Sequence, residues 1–181
     1  MVNKMVRFGE RAGAVRPGRK VLTLIHAIVA GADSIDDTEV LRSGATEALL
    51  GHRAMAPSTL GTFLRAFTFG HVRRLDQVLG EAIKRAWELG AGPGAKRLVI
   101  DIDSFLGETA GRLKQGASFG YTGLRGYHPL LATRAGTGEV LHARARKGAA
   151  NSGRGETGVC ELAETTYGGR RLIVRRVHLH A

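Results

Sequence analysis

The chain has 181 residues, 43% hydrophobic and 24% charged, the make-up of one ordinary globular domain or one domain with a helical attachment; disorder and collagen-like structure are excluded. Its 27 Lys and Arg against 16 Asp and Glu leave a net charge of +11, which calls for an anionic partner. The excess is spread along the chain, 13 bases to 9 acids in residues 1–95 and 14 to 7 in residues 96–181, and this suits a surface that tracks a phosphate backbone better than a polybasic membrane tail.

The longest apolar run, Val21 to Ala32, is broken by Thr23 and His26 and is shorter than the roughly 20 residues of a membrane span, so no membrane partner is expected. The basic first 16 residues lack the ordered apolar stretch and cleavage site of a secretory signal, and Cys160 stands alone, which excludes an internal disulfide. A reducing cytoplasm fits that usage.

Residues 1–15 read as a basic, flexible tail, and residues 16–90 as a helical region. Pro17 suits a first helical turn, and Val21 to Ala30 fills a buried helix ended by Gly31. Ser34-Ile35-Asp36-Asp37 offers an N-cap with an acid three residues on. Glu47 to Leu50, a turn at Gly51 to Pro57, and a helix opening at Ser58-Thr59 and reaching about Phe67 have helix-turn-helix proportions, although an ordinary helical hairpin has the same ones. The second helix would present Thr59, Thr62 and Arg65 outward for DNA. Val72, Leu75, Val78, Leu79, Ala82, Ile83, Ala86 and Trp87 keep i, i+3, i+4 spacing and predict an amphipathic helix over 71–89.

Gly90-Ala91-Gly92-Pro93-Gly94 cannot propagate a helix or a central strand and marks a domain boundary. The loop lacks the Gly-Lys-Ser/Thr ending of a nucleotide-binding loop, which excludes triphosphate hydrolysis. Beyond it the period becomes that of strands. Arg97 to Asp103 is one, Tyr127 to Thr133 and Glu139 to Ala145 are two more joined through Arg134 to Gly138, Glu156–Thr165 is a short helix, and Arg171 to Val174 is a last strand. The fold class is α/β.

Asp101 and Asp103 alternate along the first of these strands, so both carboxylates point to one face. Desolvated carboxylates need compensation, by a divalent cation or by a partner such as Arg97, Arg125 or Arg134. With a cation, Asp103 at the strand's end could hold Mg²⁺ or Mn²⁺, the Ser104 hydroxyl lying beside it. Two such ions stabilise the attacking and leaving oxygens of a displacement at phosphorus. Arg125, Arg144, Arg146, Lys147 and Arg154 concentrate positive charge around the following strands, where a DNA strand needs phosphate partners; a solvated basic face is the plainer reading. His128, before Pro129, could meet DNA or pack structurally. His178 and His180 lack further ligands for a metal, and Cys160 has no motif around it.

Ile100-Asp101-Ile102-Asp103-Ser104, Lys114-Gln115-Gly116-Ala117, Gly120-Tyr121-Thr122-Gly123, Gly126-Tyr127-His128-Pro129-Leu130-Leu131-Ala132-Thr133, Thr137-Gly138-Glu139-Val140-Leu141-His142-Ala143-Arg144 and Arg146-Lys147-Gly148-Ala149-Ala150-Asn151 stand in series. With Arg16-Pro17-Gly18-Arg19-Lys20 and Ala56-Pro57-Ser58-Thr59-Leu60 ahead of them, this series resembles bacterial insertion-sequence transposases of the DDE type, the group numbered thirteen-eighty, over about residues 16–155. The resemblance implies a helical DNA-binding region followed by an RNase H-like core over 96–181. It also implies Mg²⁺-dependent cutting and joining of double-stranded DNA at transposon terminal repeats, a nucleoid-associated location, and a homodimer or full-length transposase as a further partner.

The family writes its first strand Asp-x-Asp-Ser-Thr, which puts its acids on Asp101 and Asp103, with Asp103 favoured as the first catalytic acid; Phe105 stands where the family has Thr. The family's second acid follows a pattern like Val-Arg-Ala-Asp-Ser-Gly, whereas Val174-Arg175-Arg176-Val177-His178-Leu179-His180 carries no carboxylate. The resemblance therefore implies an incomplete core: an amino-terminal fragment that holds Mg²⁺ weakly and is inactive alone, or a DNA-binding remnant that competes for transposon ends.

Overall fold

A computed structural model describes residues 1–111, 113–151, 158, 167 and 172–176. It is mixed α and β and divides into two compact units, residues 1–78 and 79–181. The division falls inside a helix, not at the glycine cluster of residues 90–94.

The first unit is helical: α1 (Val2–Met5), α2 (Pro17–Val29), a 3₁₀ helix (Asp36–Arg42), α3 (Thr46–Leu50), α4 (Pro57–Arg65) and the start of α5 (Phe69–Ala86). Gly31 ends α2 as its position predicts. At φ 88° it lets its own N–H reach the Ile28 carbonyl at 3.0 Å and the Ala32 N–H reach that of Ala27 at 2.9 Å, the paired bonds of a Schellman cap. The Ser34 cap also forms: Asp37 Oδ2 accepts from the Ser34 N–H at 2.7 Å and hydroxyl at 2.8 Å, though it opens a 3₁₀ rather than an α-helix. Those bonds hold the Asp37 carboxyl below its ordinary pKa.

Two expectations for this unit are corrected. Residues 1–15 do not form a loose tail, because Val6 and Phe8 are buried with Phe63 in one core cluster. Nor is α2 buried through its apolar run. Its inward residues include Lys20 and Thr23, while Leu22, Ile25, Ile28 and Val29 are exposed. The buried Thr23 hydroxyl is satisfied on both sides, donating to the Arg19 carbonyl at 2.9 Å and accepting the Met55 N–H at 3.2 Å.

The second unit carries a four-stranded mixed sheet built from β1 (Leu98–Ser104), β5 (Leu130–Arg134), β6 (Val140–Arg144) and β7 (Leu172–Arg176), in the order β6-β5-β1-β7. β5 runs antiparallel to β1 and to β6, whereas β7 runs parallel to β1. A second sheet, β2-β4-β3, joins β2 (Gly107–Glu108), β4 (Arg125–Tyr127) and β3 (Ser118–Phe119). The single strand predicted over Tyr127–Thr133 is thus two. Pro129, which has no N–H to give a ladder, lies at the break, and the chain passes there from one sheet to the other.

Alternation along β1 buries Leu98, Ile100 and Ile102 on one face, where Ile83, Trp87, Leu130, Ala132, Leu141 and Tyr167 complete the core. α5 ends at Ala86 in a π turn over Trp87–Ala91, and Gly90 at φ 103° breaks the helical path. The Trp87 indole donates to Glu139 Oε1 at 2.8 Å, while Arg134 bonds Glu139 Oε2 at 3.3 Å and the Ala91 carbonyl at 2.8 Å. The Tyr167 ring lies 5.0 Å from that of Trp87, and its hydroxyl donates to the Leu141 carbonyl at 3.3 Å.

Burial, and then the Glu139 carboxylate, push the Tyr167 hydroxyl up to about 12. An unfolded tyrosine titrates near about 10, so the stability this neutral phenol contributes is complete below about pH 10 and is lost as pH climbs through about 12. Alkaline unfolding followed by circular dichroism is expected to show that loss, and Tyr167→Phe to flatten it.

Candidate functional site

β1 stands second from one edge of the mixed sheet, and its alternation puts Val99, Asp101 and Asp103 on the face opposite the core. Register sets Thr133 and Leu131 of β5 beside the two acids on that face, and Arg175 of β7 beside Asp101 on the other flank. Sharing a face, as the sequence spacing predicts, leaves both acids half-buried.

Their partners differ. Arg175 makes a two-pronged bond to Asp101, Nε to Oδ1 at 2.8 Å and Nη2 to Oδ2 at 3.0 Å. These hydrogen bonds, then the carboxylate's charge, raise the guanidinium's pKa further. None of Arg97, Arg125 and Arg134 takes that place. Asp103 Oδ1 accepts the Ser104 backbone N–H at 2.7 Å. The Ser104 side chain does not stand with it: Ser104 pairs with Leu130, and alternation directs it to the other face.

Mg²⁺ asks for several oxygen ligands in octahedral array. Both Asp101 oxygens are given to Arg175, and among the described residues no group of three His, Cys, Asp or Glu gathers anywhere. The donor set present there does not fit a divalent cation.

The basic side chains expected at DNA fall into two classes. Arg144 and Lys147 are exposed on β6 and just after it. Arg125 and Arg146 are half-buried and bonded within the fold: Arg125 Nη1 donates to the Gly111 carbonyl, Arg146 Nε to that of His128 at 2.8 Å and Nη1 to that of Asn151 at 3.1 Å. His128 is only 5% exposed, and its Nδ1–H donates to the Ala150 carbonyl at 2.7 Å, so it braces the loop after β6 and is no surface contact. Arg154, Cys160, His178, His180 and, apart from Gly158, the helix expected at 156–165 lie outside the described residues.

In the first unit, Arg65 is exposed, but Thr59 and Thr62 are half-buried and the Thr62 hydroxyl donates to the Ser58 carbonyl at 3.0 Å. α3 has five residues, little more than a turn, and α4 packs chiefly on α2 and the 3₁₀ helix. The two helices expected over residues 47–67, Glu47 to Leu50 and the one opening at Ser58-Thr59, are both present as α3 and α4.

Sequence reasoning missed Arg175, whose place opposite Asp101 depends on the register of a strand 74 residues away. It also missed a basic pocket in the first unit, lined by Lys4, Arg7 and Arg74. The alternation Val6-Arg7-Phe8, apolar around a base, was the available signal. Compared with known proteins, the chain matches no family model, no curated protein and no solved structure.

Proposed function

We propose that these 181 residues are the DNA-holding, first-acid part of a DDE-type insertion-sequence transposase, and that alone they bind double-stranded DNA at transposon ends without cutting it. The observation that carries this reading is the pair Asp101 and Asp103 on one face of β1, flanked by a parallel strand on one side and an antiparallel hairpin pair on the other. A mixed sheet with its acids on the first strand supports reading this unit as part of an RNase H-like core. The charge of +11 supports a phosphate-bearing partner. The Arg175 pair, which takes both Asp101 oxygens, supports the absence of cleavage by these residues alone.

A labelled transposon-end duplex with Mg²⁺ or Mn²⁺ tests both halves. The expected result is binding that weakens steeply with salt and leaves the duplex intact. Nicking that Asp103→Asn abolishes would overturn the non-cutting half while keeping the family; no binding at low salt would overturn the function. The same Arg175 pair favours a second reading, a DNA-binding remnant that competes with full-length enzyme for its ends. Added to a transposition reaction, the chain would then inhibit in proportion to the ends it occupies.

A further inference from the structure

Two open pockets of about 590 Å³ each lie in the first unit, and their charge separates them. One, beside α4, sets Arg42 and Arg65 against Asp36 and Glu39, with Arg42 bonded to Glu39 at 2.6 Å, so its charge is largely cancelled. The other is lined by Lys4, Arg7 and Arg74 together with Thr68, Gly70 and His71, and no carboxylate lines it. Among the described residues none of its three cations stands in an ion pair. We infer that this second pocket is a seat for a backbone phosphate of duplex DNA, an inference that rests on the DNA-binding reading above and gives it a location.

The pocket is built from fixed parts. Val6 and Phe8 are 1% and 5% exposed, so Arg7 between them is directed outward from a segment anchored on both sides. The Phe8 ring stacks on His71 at 4.3 Å. His71 Nδ1 accepts the Thr68 N–H at 3.0 Å; its proton is therefore on Nε2, which donates to the Arg7 carbonyl at 3.0 Å. The imidazole thus ties the Arg7 backbone to the first turn of α5, from which Arg74 projects one turn later. Arg74 Nη1 bonds only a neutral group, Gln77 Oε1, at 3.0 Å, which keeps its charge. A side chain at Gly70 would meet nothing nearer than Thr68 Oγ1 at 3.8 Å, so the helix backbone is open at that point.

Three cations from two segments 60 to 70 residues apart in sequence converge on one opening. A compact dianion or a phosphodiester satisfies such a set, since guanidinium forks match phosphate oxygens and a lysine adds a point charge. The commitment to a nucleic-acid backbone comes from the +11 dispersed along the chain, which a single small anion would leave unused.

The test compares the wild-type chain with the triple variant Lys4→Gln, Arg7→Gln, Arg74→Gln and with a charge-matched triple outside the pocket, Arg53→Gln, Arg73→Gln, Lys84→Gln. All six positions are exposed, and circular dichroism verifies that both variants fold. The slope of log K for duplex DNA against log salt concentration is expected to shrink by about 1 to 3 in the pocket triple, about 0.9 for each phosphate no longer neutralised, equally on terminal-repeat and scrambled duplexes, and by less than about 1 in the control. Equal slopes in the two triples would overturn the pocket and leave DNA binding standing. Wild-type chain that binds no duplex at low salt would overturn the functional reading and this inference with it. A pocket triple that loses duplex RNA while holding DNA as wild type does would overturn the assignment to DNA.

Discussion

Phe63→Ala is expected to remove about 3 to 5 kcal/mol from the stability of the first unit, the range for emptying a buried aromatic position. Phe63 is 1% exposed and meets Phe8 edge-on at 5.4 Å and Phe67 at 5.0 Å, so its loss opens a void that both of those rings border. A second cost is electrostatic. The Lys20 ammonium lies 5.3 Å over the Phe63 ring, and its bonded partner is the Gly13 carbonyl at 2.6 Å. Burial already lowers the Lys20 pKa, and without the ring's negative face its charge has less to lean on. Urea unfolding of the variant measures the sum. A loss under about 1 kcal/mol would mean that the amino-terminal segment does not depend on this cluster, against the burial of Val6 and Phe8.

In the second unit one added methyl group is expected to have a large effect. Gly126→Ala would drive its Cβ into the Gly107 carbonyl oxygen and to 3.0 Å from the Glu108 Cα, both backbone atoms of β2. Neither can rotate away, so β2 must leave β4 and the small sheet opens. Overpacking of side chains costs about 1 to 3 kcal/mol, and a backbone collision lies at or above the top of that range. Gly136→Ala is the contrasting case. Gly136 sits at φ 82° with open space around its Cβ position, so only the strain of a left-handed L-residue is added, about 1 to 2 kcal/mol. Thermal melts of the two variants should rank them in that order, and equal shifts would refute the close-approach argument.

The same contrast explains what was legible in the sequence. Period is local, so the alternation that buries Leu98, Ile100 and Ile102 and sets Asp101 with Asp103 could be read from seven consecutive residues. Caps are local too, and Gly31 and Ser34 behave as their chemistry dictates. The glycines of Arg134 to Gly138 do make a hairpin turn, with Gly136 and Gly138 at positive φ and the Arg134 N–H on the Glu139 carbonyl at 2.8 Å. What escaped depends on contacts distant in sequence. A basic opening segment reads as tail until Phe8 meets Phe63, and an apolar helix reads as buried until Lys20 and Thr23 take the inward positions. Tyr127 to Thr133 reads as one strand until its two ends join different sheets. For the acids, the face was legible and the occupant was not: Arg175 reaches Asp101 through parallel pairing that no local pattern announces.

That parallel pairing has a consequence during synthesis. One flank of β1 is completed early by β5, which follows about 30 residues later, but the other waits for β7, and the Asp101–Arg175 bond spans 74 positions. At a ribosomal rate of about 5 to 20 residues per second, β1 emerges with an unsatisfied ladder for about 4 to 15 s, along with a carboxylate whose counter-charge has not yet been translated. For that interval the nascent chain carries an apolar strand with one flank unpaired, a surface open to premature association.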